Sequence, residues 1–308
     1  MNSPEAIFPH SEQPSFNLFN NSASLHAEVA SRAKLGEVMR KIKAIDDSSL
    51  ERIVSHQQNT GQLFGQAAVE LKLVDESTLA RALAEQESLA VGSDMGAQLS
   101  RELIAAHDPF NDAVESLRSL RTSMLFEMRR LSDRGGARSV ALVSPDHGEG
   151  RSWIAGNLAV VFAQLGMRTL LIDADLRRPR QHMLFNQSGH DGLVPWLSGR
   201  TSSPMIRTVE AVPHLHLLAA GSRPPNPQEL LSGDPFRTVL DAVSQSAAIA
   251  IVDTPPAEHY ADFTFAVLAT EAVVVVVKRG SPQRRTRALV ERLRALGRPP
   301  IGIVFNQR

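Results

Sequence analysis

The chain has 308 residues, 43% of them apolar, with 33 basic and 33 acidic residues and no cysteine. Zero net formal charge argues against nucleic acid as a bulk partner, and the missing thiols exclude disulfides, thiol catalysis and thiolate metal sites. No apolar run approaches the ~20 residues of a membrane-crossing helix, and the N-terminus lacks the basic and apolar regions of a signal peptide. The expectation is a cytoplasmic protein with no direct membrane insertion.

Residues 1–24, rich in Ser, Asn and Pro, read as a flexible tail. Residues 25–90 hold an internal repeat. Lys34–Gln57 aligns with Leu63–Gln86 at an offset of 29, placing Gly36 on Gly65, Asp46 on Asp75, Ser48 on Ser77, Leu50 on Leu79 and Gln57 on Gln86. Asp46 and Asp75 each precede an apolar-periodic segment, the position of a helix N-cap, so each copy predicts helix, turn and second helix. The layout of 24 residues, a five-residue spacer and 24 residues resembles the MshEN-type N-terminal domain of type II secretion and pilus ATPases. That resemblance implies cyclic di-GMP as a ligand of Gly36, Gly65, Gln57 and Gln86. Lys34 and Leu63 stand where that family carries arginine. Without that ligand, the repeat reads as a small helical adaptor.

Residues 91–108, with two glycines and no long apolar period, read as a linker. A helix is predicted from about Asn111, with Glu115, Arg118 and Arg121 on a common face. Then comes the stretch that organises the rest. A buried strand at 140–143 leads into His147-Gly148-Glu149-Gly150-Arg151-Ser152, an apolar segment from Trp153 to Leu165, and a second strand at 169–172. Strand, glycine-bearing turn, helix and strand form a βαβ unit whose crossover sets the strands parallel. The turn aims backbone N–H groups and a helix N-terminus at one place, which suits a phosphate. Asp173 and Asp175 at the second strand's end suit Mg²⁺ or a proton, so the unit reads as an ATP site. Against the usual phosphate loop, Pro145 replaces the first Gly and Arg151 replaces the Lys.

Further strands are predicted at 215–218, 248–252, 273–277 and 301–305, with a basic amphipathic helix over 282–296. Asp253 falls just past a buried strand, where a carboxylate serves a nucleotide's metal ion. The alternation predicts an α/β fold: a doubly wound, mostly parallel sheet of the P-loop NTPase kind with a deviant Walker loop, beside a smaller N-terminal all-helical domain. Its ligand belongs at the carboxyl ends of the strands, where Arg151, Asp173, Asp175, Asp253 and Asn306 converge.

Residues 109–308 resemble the bacterial tyrosine kinases (BY-kinases), and most closely the EpsG-type chain-length-determinant kinases. The matching features are Glu115-x-x-Arg118-x-x-Arg121, G-E-G-R-S at 148–152, N-L-A at 157–159 and L-L-I-D-A-D-L-R-R-P at 170–179. G-x-x-P-P-N-P-x-E-L-L at 221–231, V-D-T-P-P at 252–256 and I-V-F-N at 303–306 complete the set. The resemblance implies that His147, Gly148, Glu149, Gly150, Arg151, Ser152 and Trp153 hold ATP, with Asn306 and Arg308 near the adenine. It implies Ser152, Asp175 and Asp253 as Mg²⁺ ligands, and Arg151, Asp173 and Asp175 as catalytic residues, with Asp173 the base for a tyrosine hydroxyl. It implies a homo-oligomer through Glu115, Arg118 and Arg121, and a membrane polysaccharide co-polymerase that holds the kinase at the inner membrane. The family's Tyr-rich tail is absent: Tyr260 is the only tyrosine. Two other readings stand beside the kinase, a nucleotide-switched scaffold of the same export system and a ParA/MinD-like ATPase. The last is disfavoured because Asp146 occupies the place of that group's signature lysine.

Overall fold

The computed structural model describes residues 99–131, 138–246, 249–258 and 260–307, together with 35, 39–40, 44–60, 64–75, 77–79 and 82 in the N-terminal part. The tail expected at 1–24, together with Lys34, Gly36, Leu63, Gln86 and Arg308, lies outside the described residues.

In the repeat, α1 (Asp47–Thr60) and α2 (Phe64–Glu70) pack on a small core. Its buried side chains are Met39, Ile45, Ile53, Ala67, Ala68, Val74 and Ala82. Three pairs among them, Met39/Ala68, Ile45/Val74 and Ile53/Ala82, are related by the 29-residue offset of the alignment. Backbone turns repeat likewise, with Ala44 N–H donating to Met39 C=O at 2.8 Å and Leu73 N–H to Ala68 C=O at 3.1 Å. The capping expectation is met in both copies. Asp46 Oδ1 accepts from Ser49 N at 2.8 Å and Ser48 Oγ at 3.0 Å, and Asp75 Oδ1 from Thr78 N at 2.7 Å and Ser77 Oγ at 2.9 Å.

The rest is an α/β domain. After α3 (Ile104–His107) and α4 (Asp112–Arg130) come β1 (Ser139–Val143), α5 (Arg151–Gln164) and β2 (Thr169–Asp173). Short α6 (Gln181–Leu184), α7 (Leu193–Leu197) and β3 (Arg207–Thr208) lead to β4 (Leu215–Leu218). The chain ends through α8 (Pro227–Ser232), α9 (Asp234–Gln245), β5 (Ile249–Asp253), α10 (Asp262–Ala269), β6 (Ala272–Lys278), α11 (Gln283–Ala295) and β7 (Gly302–Asn306). The seven strands lie in the order β3-β4-β2-β5-β1-β6-β7, parallel except for the β3–β4 pair.

Period-two alternation sends side chains of each central strand to opposite layers. Val140, Leu142, Leu171, Ile249, Ile251, Val274 and Val276 share a core with α4 and α5. Leu170, Ile172, Ala250 and Val252 face α9 and α10, while Val273, Val275 and Val277 face α11. Burial on both faces is why β1, β2, β5 and β6 read as unbroken apolar runs, whereas edge strand β7 alternates.

The linker expected over 91–108 needs correction across its described part. Leu99, Leu103 and Ala105 are buried in the core shared with α5. Asn157 Oδ1 accepts from Ala105 N at 3.0 Å, Asn157 Nδ2 donates to Glu102 C=O at 3.0 Å, and Gln164 Nε2 donates to Ala105 C=O at 2.8 Å. Two side chains of α5 thus supply the backbone partners that a four-residue helix lacks within itself, and the domain reaches back to residue 99.

Candidate nucleotide site

The loop after β1 is built by two glycines in the left-handed region, Gly148 at φ 76° and Gly150 at φ 85°. A Cβ on Gly148 would meet open space, whereas one on Gly150 would run into the Asn306 amide. Gly150 is therefore required twice, by φ and by packing. Asn306, arriving on β7, clamps the loop by donating from Nδ2 to Glu149 C=O at 3.1 Å. The Glu149 carboxylate is buried and faces away from the pocket, accepting from Ser281 Oγ at 2.9 and 3.0 Å and from Lys278 N. Asp146 Oδ1 accepts from His147 N at 2.7 Å, and the His147 ring meets Tyr260 edge-on at 6.3 Å. Tyr260 in turn lies under the Arg177 guanidinium at 4.1 Å, whose Nε and Nη2 donate to the two Asp262 oxygens at 2.6 and 3.2 Å.

Gly148, Gly150, Trp153 and Asn306 line a cavity of about 430 Å³ together with Arg101 and Glu102. The first four are sequence-predicted. Arg101 and Glu102 were hidden by the linker reading, and Glu102 is fixed there by Arg180 Nη2 at 2.7 Å to each oxygen. Ser152 lies in the first turn of α5, its C=O accepting from Gln181 Nε2 at 3.0 Å.

The predicted carboxylates converge, and Arg151 lies among them. Its side chain is 7% exposed; Nε donates to Asp253 Oδ1 at 2.8 Å, Nη2 to Asp175 Oδ2 at 3.0 Å and Nη1 to Ser144 Oγ at 2.9 Å. The other oxygen of each carboxylate is also taken, Asp253 Oδ2 by Gln181 Nε2 at 2.8 Å and Asp175 Oδ1 by Arg178 N at 3.0 Å. Burial raises the Asp175 carboxyl above the usual range even though the Arg151 charge pulls it down. Ser144 and Gln181 carried no sequence signal, because what they do rests on single side-chain contacts across the fold, Ser144 Oγ to Arg151 and the Gln181 amide to Asp253 and Ser152, and not on a local pattern.

Asp173 behaves differently from the base expected of it. It is fully buried, with Oδ2 accepting from Arg180 N and Gln181 N at 2.9 Å each and Oδ1 from Asp175 N at 3.3 Å. Burial, followed by the negative charge of Asp253, holds its carboxyl well above the ordinary value. In this arrangement it anchors the loop 174–181 and offers no oxygen to a tyrosine hydroxyl.

The oligomer residues divide too. Arg118 pairs with Glu115 at 3.1 Å on the surface, while Arg121 turns inward and donates from Nη1 to Val161 C=O at 2.7 Å, capping the end of α5.

Oxygen donors such as Ser152, Asp175 and Asp253 suit Mg²⁺ chemically, but their arrangement does not fit an ion. The guanidinium already bridges the two carboxylates, and among the described residues no group of three acidic or histidine side chains is disposed to hold a metal.

No family model matches the chain. It is 35% identical over 221 residues to EpsB of Ralstonia solanacearum, an alignment covering 69% of this chain but only 29% of EpsB. It is 34% identical over 200 residues to the tyrosine-protein kinase YwqD of Bacillus subtilis, covering 65% of this chain and 83% of YwqD. Among solved structures, the kinase domain of the Escherichia coli tyrosine kinase ETK superposes with a TM-score of 0.62 at 28% identity, covering 66% of this chain and 79% of that domain.

Proposed function

The chain belongs to the bacterial tyrosine-kinase family, and we propose that it transfers the γ-phosphoryl group of ATP to tyrosine hydroxyls of an exopolysaccharide export system. A tyrosine O–P bond forms, the bond from the γ-phosphorus to the β-bridging oxygen breaks, ADP leaves, and the hydroxyl proton passes to an oxygen of the transferred phosphoryl group. The observation that carries this reading is the glycine-built loop at the start of α5: Gly148 and Gly150 line the cavity, and Arg151, next in the chain, pairs with Asp175 and Asp253. The γ-phosphate-bearing nucleotide lies in that cavity, with loop N–H groups and the helix dipole on its phosphates and Trp153 and Asn306 toward its base. Tyr260, the single tyrosine of this sequence, is packed under Arg177, and the acceptor in this proposal is a tyrosine of a partner protein.

In this proposal the partner is a membrane polysaccharide co-polymerase, which sets chain length and holds the kinase at the inner membrane. No helix among the described residues is long and apolar enough to cross a membrane. The purified chain incubated with γ-labelled ATP and a tyrosine-containing copolymer should yield labelled phosphotyrosine. Nucleotide binding without transfer would favour the switched scaffold.

For the repeat we propose an adaptor role. The glycine expected to admit cyclic di-GMP, Gly65, packs against Leu79, whose Cδ1 lies 2.8 Å from where a Cβ would stand. Calorimetric titration of the full chain with cyclic di-GMP should give no heat, and saturable heat would restore the ligand-binding reading.

A further inference from the structure

We infer that Arg151 is a built-in counter-ion for the Asp175–Asp253 pair, and that the pocket consequently takes a nucleoside diphosphate without a divalent cation. This rests on the nucleotide-site reading above. The argument begins with the carboxylate oxygens. All four already accept a hydrogen bond, two from Arg151, one from Gln181 and one from the Arg178 backbone. A cation entering between them has to expel a guanidinium that is 7% exposed and bonded through three separate nitrogens.

Shape explains why arginine does this and lysine does not. Asp253, Ser144 and Asp175 are met by Nε, Nη1 and Nη2 at 2.8, 2.9 and 3.0 Å, a spread that a planar guanidinium spans and a single ammonium nitrogen does not. What a metal ion does for nucleotide binding in such a site, neutralising carboxylates that would repel the phosphates, is therefore already done by the chain. The phosphates are left to the N–H groups of the Gly148–Gly150 loop, the start of α5 and Arg101.

The test measures ADP affinity of the full chain in excess Mg²⁺ and in excess chelator, for the natural protein and for Arg151→Lys. The natural protein should bind within about threefold under the two conditions, and the lysine variant should weaken at least tenfold in chelator. A tenfold or greater loss by the natural protein in chelator would overturn the inference, and that comparison needs no variant to fold. Failure to bind ADP under either condition would instead bring down the nucleotide-site reading, and this inference with it.

Discussion

Two regions of the molecule hold carboxylates by opposite means. In the helical repeat, Asp46 and Asp75 sit exposed and bond to residues two and three positions away. At the carboxyl edge of the sheet, Asp175 and Asp253 are buried and are joined by Arg151, which lies 24 and 102 residues from them. An exposed cap exchanges one water contact for one protein contact and stabilises modestly. A buried charge has lost its water altogether and depends on its partner. The repeat therefore tolerates the loss of single polar contacts, and the sheet edge does not.

Removing the shared partner gives the largest effect. Arg151→Met should cost about 3–5 kcal/mol of domain stability in chemical denaturation, because two buried carboxylates are left facing each other without a counter-ion. A loss below about 1 kcal/mol would show that water already reaches them. Gly150→Ala comes next. A left-handed non-glycine residue costs about 1–3 kcal/mol, the new methyl displaces Asn306, and ADP binding should fall with it. Normal ADP affinity in that variant would show the clamp to be dispensable.

The same comparison explains what the residues alone disclosed. Strands β1, β2, β5 and β6 are legible because burial on both faces writes them as unbroken Val, Ile, Leu and Ala runs. The repeat is legible because its copies can be aligned, and its core pairs Met39/Ala68, Ile45/Val74 and Ile53/Ala82 follow that alignment. The convergence of Arg151, Asp173, Asp175 and Asp253 is legible as well, since parallel strands deliver their carboxyl ends to one edge. Directions are not. That Arg151 turns toward the acids, that Arg121 turns onto α5, and that Asn157 binds residues 99–108 all depend on contacts between residues far apart in the chain. No local pattern encodes those contacts.

Acidity sharpens the comparison further. The folded-state Asp173 carboxyl is raised above its unfolded value, so in the intervening pH range the folded chain holds a proton that the unfolded chain has released. Its contribution favours the folded state at low pH and is lost as pH rises through the folded value. Asp173→Asn should therefore flatten the fall in melting temperature from mildly acidic to neutral pH; an unchanged slope would place the titration elsewhere. The exposed caps should show much smaller effects. Asp46→Ala and Asp75→Ala should each weaken the repeat slightly and to a similar extent, since each aspartate makes the same pair of contacts. Unequal losses would mean that the copies are not energetically equivalent.

The smallest stability effect belongs to α4, where both kinds of contact occur three residues apart. The Arg118–Glu115 pair is solvent-exposed on the surface, and such pairs are worth about 0–1 kcal/mol. Arg121 instead reaches a carbonyl at the end of α5 and is partly buried, with burial drawing its guanidinium below the usual range. Arg118→Ala should leave the denaturation midpoint nearly unchanged, while Arg121→Ala should lower it measurably. Oligomer mass then separates structure from assembly. If Glu115 and Arg118 form the proposed contact between copies, Arg118→Ala should lower the mass measured by light scattering although the monomer is as stable as before. If mass falls only with Arg121→Ala, in step with its loss of stability, the arginines of this helix serve the fold and the interface must be sought on another face.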